Sequence, residues 1–354
     1  MIDTVIKNFF PEDQNYNVKP YGTGHINDTY IVKFPERDLE YILQRINTSV
    51  FVEPKILINN HLKIQPELIK SGSSINIAKL IPDVTNEFLF TDKLGGAWRI
   101  TSFIKDSYSI DLVDDEWQAY QSGLAFGWFV YASKNIQPTD LKEPIKDFHR
   151  LSFRLKQLNN AIADNKAERL DKVIPIICFY KEREESLSKI ETLIDKGDIP
   201  LRVVHNDTKI NNILFRDNKV VAVIDLDTVG PGSILYDYGD ALRTTANTAA
   251  EDEKKLEKVS FNLNSFKSFT QGYLSQVKNI LTIKEKVNLY KAPILMTYIM
   301  GIRFLADYLN GDVYYKTTYD QHNLDRCNVQ KKLIESMESH EDVMKRIILE
   351  SLKV

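Results

Sequence analysis

LRVVHNDTKINNILFRDNKVVAVIDLDTVGPG, residues 201 to 232, is the stretch on which the reading of this chain turns. Val203 and Val204 lead into His205-Asn206-Asp207, and Asn212 follows five positions after Asp207. Two short apolar runs, Ile213–Phe215 and Val220–Ile224, flank the polar turn Arg216-Asp217-Asn218-Lys219, and Asp225 comes next. Paired as an antiparallel hairpin, these runs place the residue entering the first opposite the residue leaving the second, with opposed Cα atoms about 4.5–5.5 Å apart. Asn212 and Asp225 therefore meet at one open end of the hairpin, and Asp207 projects toward the same end from the loop before it.

An amide oxygen and a carboxylate held there are hard ligands suited to magnesium, which keeps some waters and takes its remaining ligands from phosphate. Asp207 is left to orient a hydroxyl group. A His-x-Asp-x-x-x-x-Asn loop followed by strand, turn, strand and Asp is the parts list of phosphoryl transfer. The spacing predicts Asp207 as the catalytic carboxylate and Asn212 and Asp225 as metal ligands, with ATP and Mg2+ as cofactors. The remaining histidines, His61, His149, His322 and His340, lack metal-ligand spacing and read as surface or helix residues, and His205 as structural.

Upstream, Tyr21-Gly22-Thr23-Gly24-His25-Ile26-Asn27-Asp28 precedes a strand beginning at Tyr30. Glycines there let backbone N–H groups approach phosphate, so Gly22, Thr23 and Gly24 are candidate nucleotide contacts. The next strand, YILQRI (41–46), offers Arg45 as the phosphate-pairing cation. An acidic partner for it is missing between Pro54 and Pro66, leaving Glu53 and Glu67 on either side as the alternatives.

The first hundred residues are strand-rich. YIVKF (30–34), YILQRI and WRITSFI (98–104) are β-branched and aromatic, and Asp92-Lys93-Leu94-Gly95-Gly96 reads as a hairpin turn. A helix is expected from Pro54 to Ile64, closed by Pro66. From about Asp106 onward, helical periodicity dominates over 114–133, 146–165 and 177–195, and after Asp240 to a final amphipathic helix over 328–352. The fold class is α+β: a small antiparallel-sheet lobe over residues 1–105 that binds nucleotide, and a larger, mainly helical catalytic and substrate lobe over 106–354.

A chain of 354 residues exceeds what one core usually holds, consistent with two lobes. Its 46 basic and 49 acidic residues give a net charge of -3 without a Lys/Arg tract, which argues against a nucleic-acid partner. Two cysteines, Cys178 and Cys327, cannot form a disulfide framework. No secretory pattern opens the chain, and the most apolar stretch found, Gly123 to Ala132, is half of the ~20 residues a membrane span needs. A cytoplasmic protein without a membrane partner, monomeric or weakly dimeric, is expected.

With these residues in view, the chain resembles the aminoglycoside phosphotransferase and choline kinase superfamily, and within it the bacterial N-acetylhexosamine 1-kinases. The matching blocks are GTGHINDTYIV (22–32), YILQRINTSVF (41–51), HNDTKINNILF (205–215), IDLDTVGPG (224–232), YDYGDALR (236–243), TAAEDEKKLEKVSFNL (248–263) and GIRFLADYLNGDVYYK (301–316). The resemblance implies a bilobal protein-kinase-like fold, use of ATP and magnesium, and phosphorylation of the C1 hydroxyl of N-acetylglucosamine or N-acetylgalactosamine. It implies sugar-pocket roles for His25, Arg303 and Tyr314, a supporting role at the substrate or metal for Asp227, and bracing of the catalytic loop by Asp237 and Asp240. Read alone, Arg303 in an apolar helix needs either an ion pair with Asp307 or a ligand, and Tyr314 could simply cover core. Thr244 stands where this kind of sugar kinase is expected to carry an aromatic residue.

Three other readings compete. A protein kinase needs a long segment after the metal Asp, whereas Tyr236-Asp237-Tyr238-Gly239-Asp240 begins eleven residues after Asp225. Choline, homoserine or an aminoglycoside as acceptor would call for an acidic or aromatic pocket instead of Arg303. A nucleotide-binding pseudokinase is disfavoured because Asp207, Asn212 and Asp225 are all present.

Overall fold

A computed structural model describes residues 2–13, 15–22 and 26–353. The elements in chain order are α1 (Ile2–Phe9), β1 (Asn17–Pro20), β2 (Asp28–Phe34), β3 (Leu39–Ile46), α2 (Pro54–Lys70), β4 (Asn76–Ile77), β5 (Leu80–Ile81), β6 (Phe90–Thr91) and β7 (Ala97–Ser102). There follow α3 (Glu116–Ala132), α4 (Leu151–Asp164), α5 (Ile174–Asp195), β8 (Arg202–Val204), β9 (Ile213–Arg216), β10 (Lys219–Val223), β11 (Gly230–Gly232) and α6 (Ile234–Thr245). The chain ends in α7 (Leu263–Val277), α8 (Ile283–Asn288), α9 (Ala292–Asn310), α10 (His322–Ser339) and α11 (Glu341–Lys353).

The sheet of the first lobe runs β1-β2-β3-β7-β5, with β6 also on β7. Alternation divides β3 between its two faces. Tyr41 and Leu43 join Val5, Ile6, Phe9, Val32, Phe34, Trp98 and Ile100 in a core capped by α1. Ile46 faces the other way, toward Phe51, Leu57 and Ala97. The predicted turn closes β6 onto β7, with Gly95 at φ +80°, where a side chain would be strained.

Most of the second lobe is one core centred on α9, α3, α7 and α6. The stretch Ile283–Asn310 is apolar and long enough to cross a membrane, which the sequence reading overlooked in favour of Gly123–Ala132, but 89% of its most apolar window is buried inside the protein. It is a core helix by its surroundings.

Two helix boundaries differ from expectation. α2 continues through Pro66 to Lys70, because Ile64 and Leu68 bury themselves in the large core and that packing outweighs the one backbone bond a proline removes. Its first half packs under the sheet and its second half against the helical lobe, so α2 belongs to both cores. The final helix is two, α10 and α11, broken at His340, whose Nδ1 lies 2.7 Å from the Ser336 carbonyl.

α3 and α7 approach closely enough to require glycine. A Cβ at Gly123 would stand 2.0 Å from the Phe269 carbonyl oxygen, and one at Gly272 2.1 Å from that of Tyr120. Gly123→Ala must push the two helix backbones apart, and should lower the unfolding free energy in urea by about 1–3 kcal/mol.

Candidate active site

The loop from His205 to Asn212 is built by satisfying backbone donors that have no strand partner. Asp237, at the start of α6, accepts the N–H of His205 at 2.7 Å and that of Asn206 at 2.8 Å. Thr208 Oγ1 donates to the Asp237 carbonyl at 2.7 Å, and Thr228 Oγ1 donates to the His205 carbonyl, also at 2.7 Å. Asn206 sits at φ +62°, a left-handed conformation that asparagine tolerates, and His149 Nε2 lies 2.8 Å from its carbonyl. His205 has the structural place expected of it. Its Nδ1 accepts the Asp207 N–H at 3.3 Å and its Nε2 lies 2.9 Å from the Ile224 carbonyl, so it ties the loop to the end of β10.

The β9–β10 hairpin forms in the expected register, Val223 opposite Ile213, and the Ile224 N–H reaches the Asn212 carbonyl at 2.9 Å. Asn212 Nδ2 donates to the Asp207 backbone carbonyl at 2.8 Å and to Asp207 Oδ2 at 3.2 Å. Both partners are acceptors, which fixes the amide's orientation and leaves its oxygen as a hard donor. Asp225 turns out of β10 at φ +59° and its side chain stays open to solvent. The surrounding protein partly desolvates the carboxyl, the charges of Asp227 and Asp207 add to the effect, and its pKa is raised above the usual carboxylate range. Among the described residues no three His, Cys, Asp or Glu side chains gather at metal-binding spacing. A cation here would therefore rest on Asp225, the Asn212 oxygen, water and nucleotide phosphates, the sparse protein ligation usual for magnesium. The crowded, desolvated carboxylate fits such an ion.

Lys209, two residues past Asp207, was missed in the sequence although it lies inside the quoted motif. Its Nζ is 3.2 Å from Asp207 Oδ1, and that carboxylate holds the ammonium well above the usual lysine range.

The first lobe meets this loop through residues that the sequence reading also missed. Arg99, on β7, forms a buried ion pair with Asp227 and donates to Gln44 Oε1 from Nε at 3.0 Å and from Nη2 at 2.8 Å. Asn27 Nδ2 donates to Asp227 Oδ2 at 2.7 Å, and Asn27 Oδ1 accepts the Asn47 N–H at 2.9 Å. Gln44 and Arg99 are cross-strand neighbours on the cleft side of the sheet. Arg45 is on the opposite face by alternation. Its nearest carboxylate is Asp28 at 4.0 Å, it lies over the Trp98 ring, and it is not brought to the catalytic loop. Nor does Glu53 or Glu67 pair with it. Glu53 is the exposed residue preceding α2, and Glu67 lies 3.8 Å from Lys70. Gly22 has φ +76°, while Thr23, Gly24 and His25 lie outside the described residues.

Arg303 and Tyr314 form a second group. Asp307 does not pair with Arg303, since its oxygens accept the N–H groups of Val313, Tyr314 and Tyr315 and the Asn323 amide. Arg303 instead lies among aromatic rings, 5.3 Å from the centroid of Phe148, 5.9 Å from Tyr314 and 5.6 Å from Tyr315. Tyr314 is 62% exposed, so it does not cover core. A second guanidinium, Arg154, donates to the Phe148 carbonyl at 3.1 and 2.6 Å, and burial together with the Arg303 charge pulls its pKa down to about 10. Neither arginine forms an ion pair among the described residues. His149 joins the two groups, with its Nε2 on the Asn206 carbonyl and its ring 4.4 Å from that of Phe148, while Asp240 is held by Arg243 at 3.0 Å.

A model described as phosphotransferase enzyme family matches residues 17–258. Among solved structures, a microcompartment-associated aminopropanol kinase superposes with a TM-score of 0.68 at 14% identity, covering 97% of this chain and 98% of its own. An aminoglycoside phosphotransferase of Alicyclobacillus acidocaldarius gives 0.67 at 12% identity, covering 98% and 96%. An ethanolamine kinase of Plasmodium vivax gives 0.57 at 13% identity, covering 92% and 86%. The bilobal kinase-like fold is thereby shared.

Two histidines expected at helices or the surface are buried around this site. His149 braces Asn206, and burial lowers its pKa to about 4; His61, on α2, is lowered by burial to about 3. Each is neutral in the fold and protonated in the unfolded chain below the usual 6.5, so acid favours unfolding. Stability should be level above that value and fall below it, by about 1.4 kcal/mol per pH unit for each histidine until its folded pKa is reached. Urea unfolding at about pH 5 and about pH 7.5 reads the slope, and His149→Gln should make it shallower.

Proposed function

The chain belongs to the phosphotransferase enzyme family, and we propose that it is an ATP- and magnesium-dependent kinase for the anomeric C1 hydroxyl of an N-acetylhexosamine, N-acetylglucosamine or its galacto epimer. The observation that carries the acceptor class is the pair Arg303 and Arg154, two guanidiniums without carboxylate partners among the described residues, the first set against the rings of Phe148, Tyr314 and Tyr315 and the second bonded to the Phe148 carbonyl. Two positive charges repel a cationic acceptor such as choline, ethanolamine or an aminoglycoside. Guanidinium donors and aromatic faces suit the hydroxyls, the acetamide oxygen and the apolar ring face of a neutral sugar.

In this reading residues 1–105 hold the nucleotide through Gly22, Thr23 and Gly24, and residues 106–354 hold the acceptor, with His25, Arg303 and Tyr314 at the sugar. Asp207 orients the C1 hydroxyl and receives its proton. Lys209 keeps a positive charge beside Asp207 where the reacting groups converge. Asn212 and Asp225 hold the metal. Bound Mg-ATP supplies the phosphoryl group and a cation to offset its charge. The remainder of the catalysis is positioning and charge complementarity supplied by a loop already fixed in place. Thr244 donates to the Ala241 carbonyl at 3.1 Å and gives the sugar no ring to stack on, so the contact is left to Tyr314 and its neighbours.

A panel of N-acetylhexosamines, choline, homoserine and aminoglycosides incubated with Mg-ATP and read by phosphorus NMR tests this. An anomeric phosphate on an N-acetylhexosamine is expected; phosphorylation of a cationic acceptor alone would discard the sugar assignment. Asp207→Asn should lower kcat by about 10²–10⁴-fold without loss of fold. Arg303→Met should act mainly on the acceptor, raising its KM by about tenfold or more while the KM for ATP stays near wild type.

A further inference from the structure

Protein kinases join a cation on the third strand of the sheet to a glutamate on the following helix, and must form that pair to be active. Neither member is in place here. The cleft-facing position of β3 is Gln44, and the α2 residue that turns toward the sheet and the metal loop is His61, buried, with its Nε2 unpartnered. A different buried pair occupies the space. Arg99 on β7 and Asp227, two residues beyond Asp225, meet with side chains only 5% and 2% exposed. The His61 ring feels both charges.

This pair crosses from one lobe to the other. On the sheet side, Gln44 holds two nitrogens of Arg99 and its own amide donates to Thr29 at 3.3 Å. On the other side Asp227 lies in the short 3₁₀ turn Leu226–Thr228 that fixes the left-handed Asp225. Its second oxygen takes the amide of Asn27, the residue just before β2. α2 adds a third tie, Asn60 Nδ2 donating to the carbonyls of Val229 at 2.8 Å and Lys142 at 2.7 Å. A charge buried this deeply is tolerated only beside its partner. Drawing the lobes apart would leave one guanidinium and one carboxylate to find water separately, and closing them restores the pair.

We propose that Arg99 and Asp227 are the positioning pair that couples lobe closure to the metal loop. By this assignment Asp227 acts through Arg99 and Asn27 and does not touch the sugar. The inference rests on the phosphotransfer reading of the cleft, but its test is read on nucleotide binding and shape, which do not depend on the acceptor.

The experiment compares the full chain with Arg99→Gln, Asp227→Asn and the double variant Arg99→Met/Asp227→Leu. The double variant leaves no unpaired buried charge and so protects the fold, checked by circular dichroism. Mg-ADP affinity is measured by calorimetry, and the radius of gyration by small-angle scattering with and without Mg-ADP. The double variant should bind Mg-ADP about tenfold or more weakly and be larger than wild type when free of nucleotide. With Mg-ADP its radius should contract toward that of wild type. Where turnover is measured, the KM for ATP should rise by a similar factor while the acceptor KM moves less than about twofold. A folded double variant that binds Mg-ADP within about twofold of wild type, with an unchanged radius, would overturn the proposal. A wild type that binds Mg-ADP yet phosphorylates no acceptor would remove the kinase reading and leave this test legible.

Discussion

Asp237 holding two successive N–H groups is the constraint on which the site depends. The loop from His205 to Asn212 is neither helix nor strand over its first half, so its backbone donors need partners from elsewhere. The Asp237 carboxylate meets the His205 and Asn206 donors, its own carbonyl takes the Thr208 hydroxyl, and the loop is thereby fixed to α6. α6 is buried along nearly its whole length and packs on α9. The position of Asp207 is thus inherited from the centre of the largest core.

Charge is distributed around that loop with little redundancy. Three carboxylates, Asp207, Asp225 and Asp227, crowd one end of a hairpin, and two of them face different cations. Lys209 takes Asp207 and Arg99 takes Asp227, while Asp225 is left with a raised pKa and an open path to solvent. Two of three like charges are thus compensated and the third is accessible, an arrangement that would suit a cation.

The hairpin that brings Asn212 and Asp225 to one end was legible because those residues are close in the chain, and the strand period converts spacing directly into geometry. Asp207, Asn212 and Asp225 needed only that one antiparallel pairing. Arg45 failed for a related reason. One step along a strand reverses the face, and nothing in YILQRI says which face meets the cleft, so the choice between Gln44 and Arg45 depends on where α1 packs. Arg99 carried a usable signal, a guanidinium between Trp98 and Ile100 in a strand buried on both sides, which calls for a buried partner. Its partner lies 128 positions away in the chain, and only the tertiary fold names it. Arg154 was hidden in an ordinary amphipathic pattern, and the length of α2 was misread because a proline was given more weight than the burial of Ile64 and Leu68.

α2 has one end seated in each core, with Leu57 under the sheet and Leu68 among the helices. The rung missing at Pro66 falls just where the helix enters the larger core. A rod clamped at both ends and weakened at one point has a single compliant joint. Any change in the gap between the lobes would be concentrated as curvature at that joint, with the hydrogen-bonded turns on either side moving as rigid pieces.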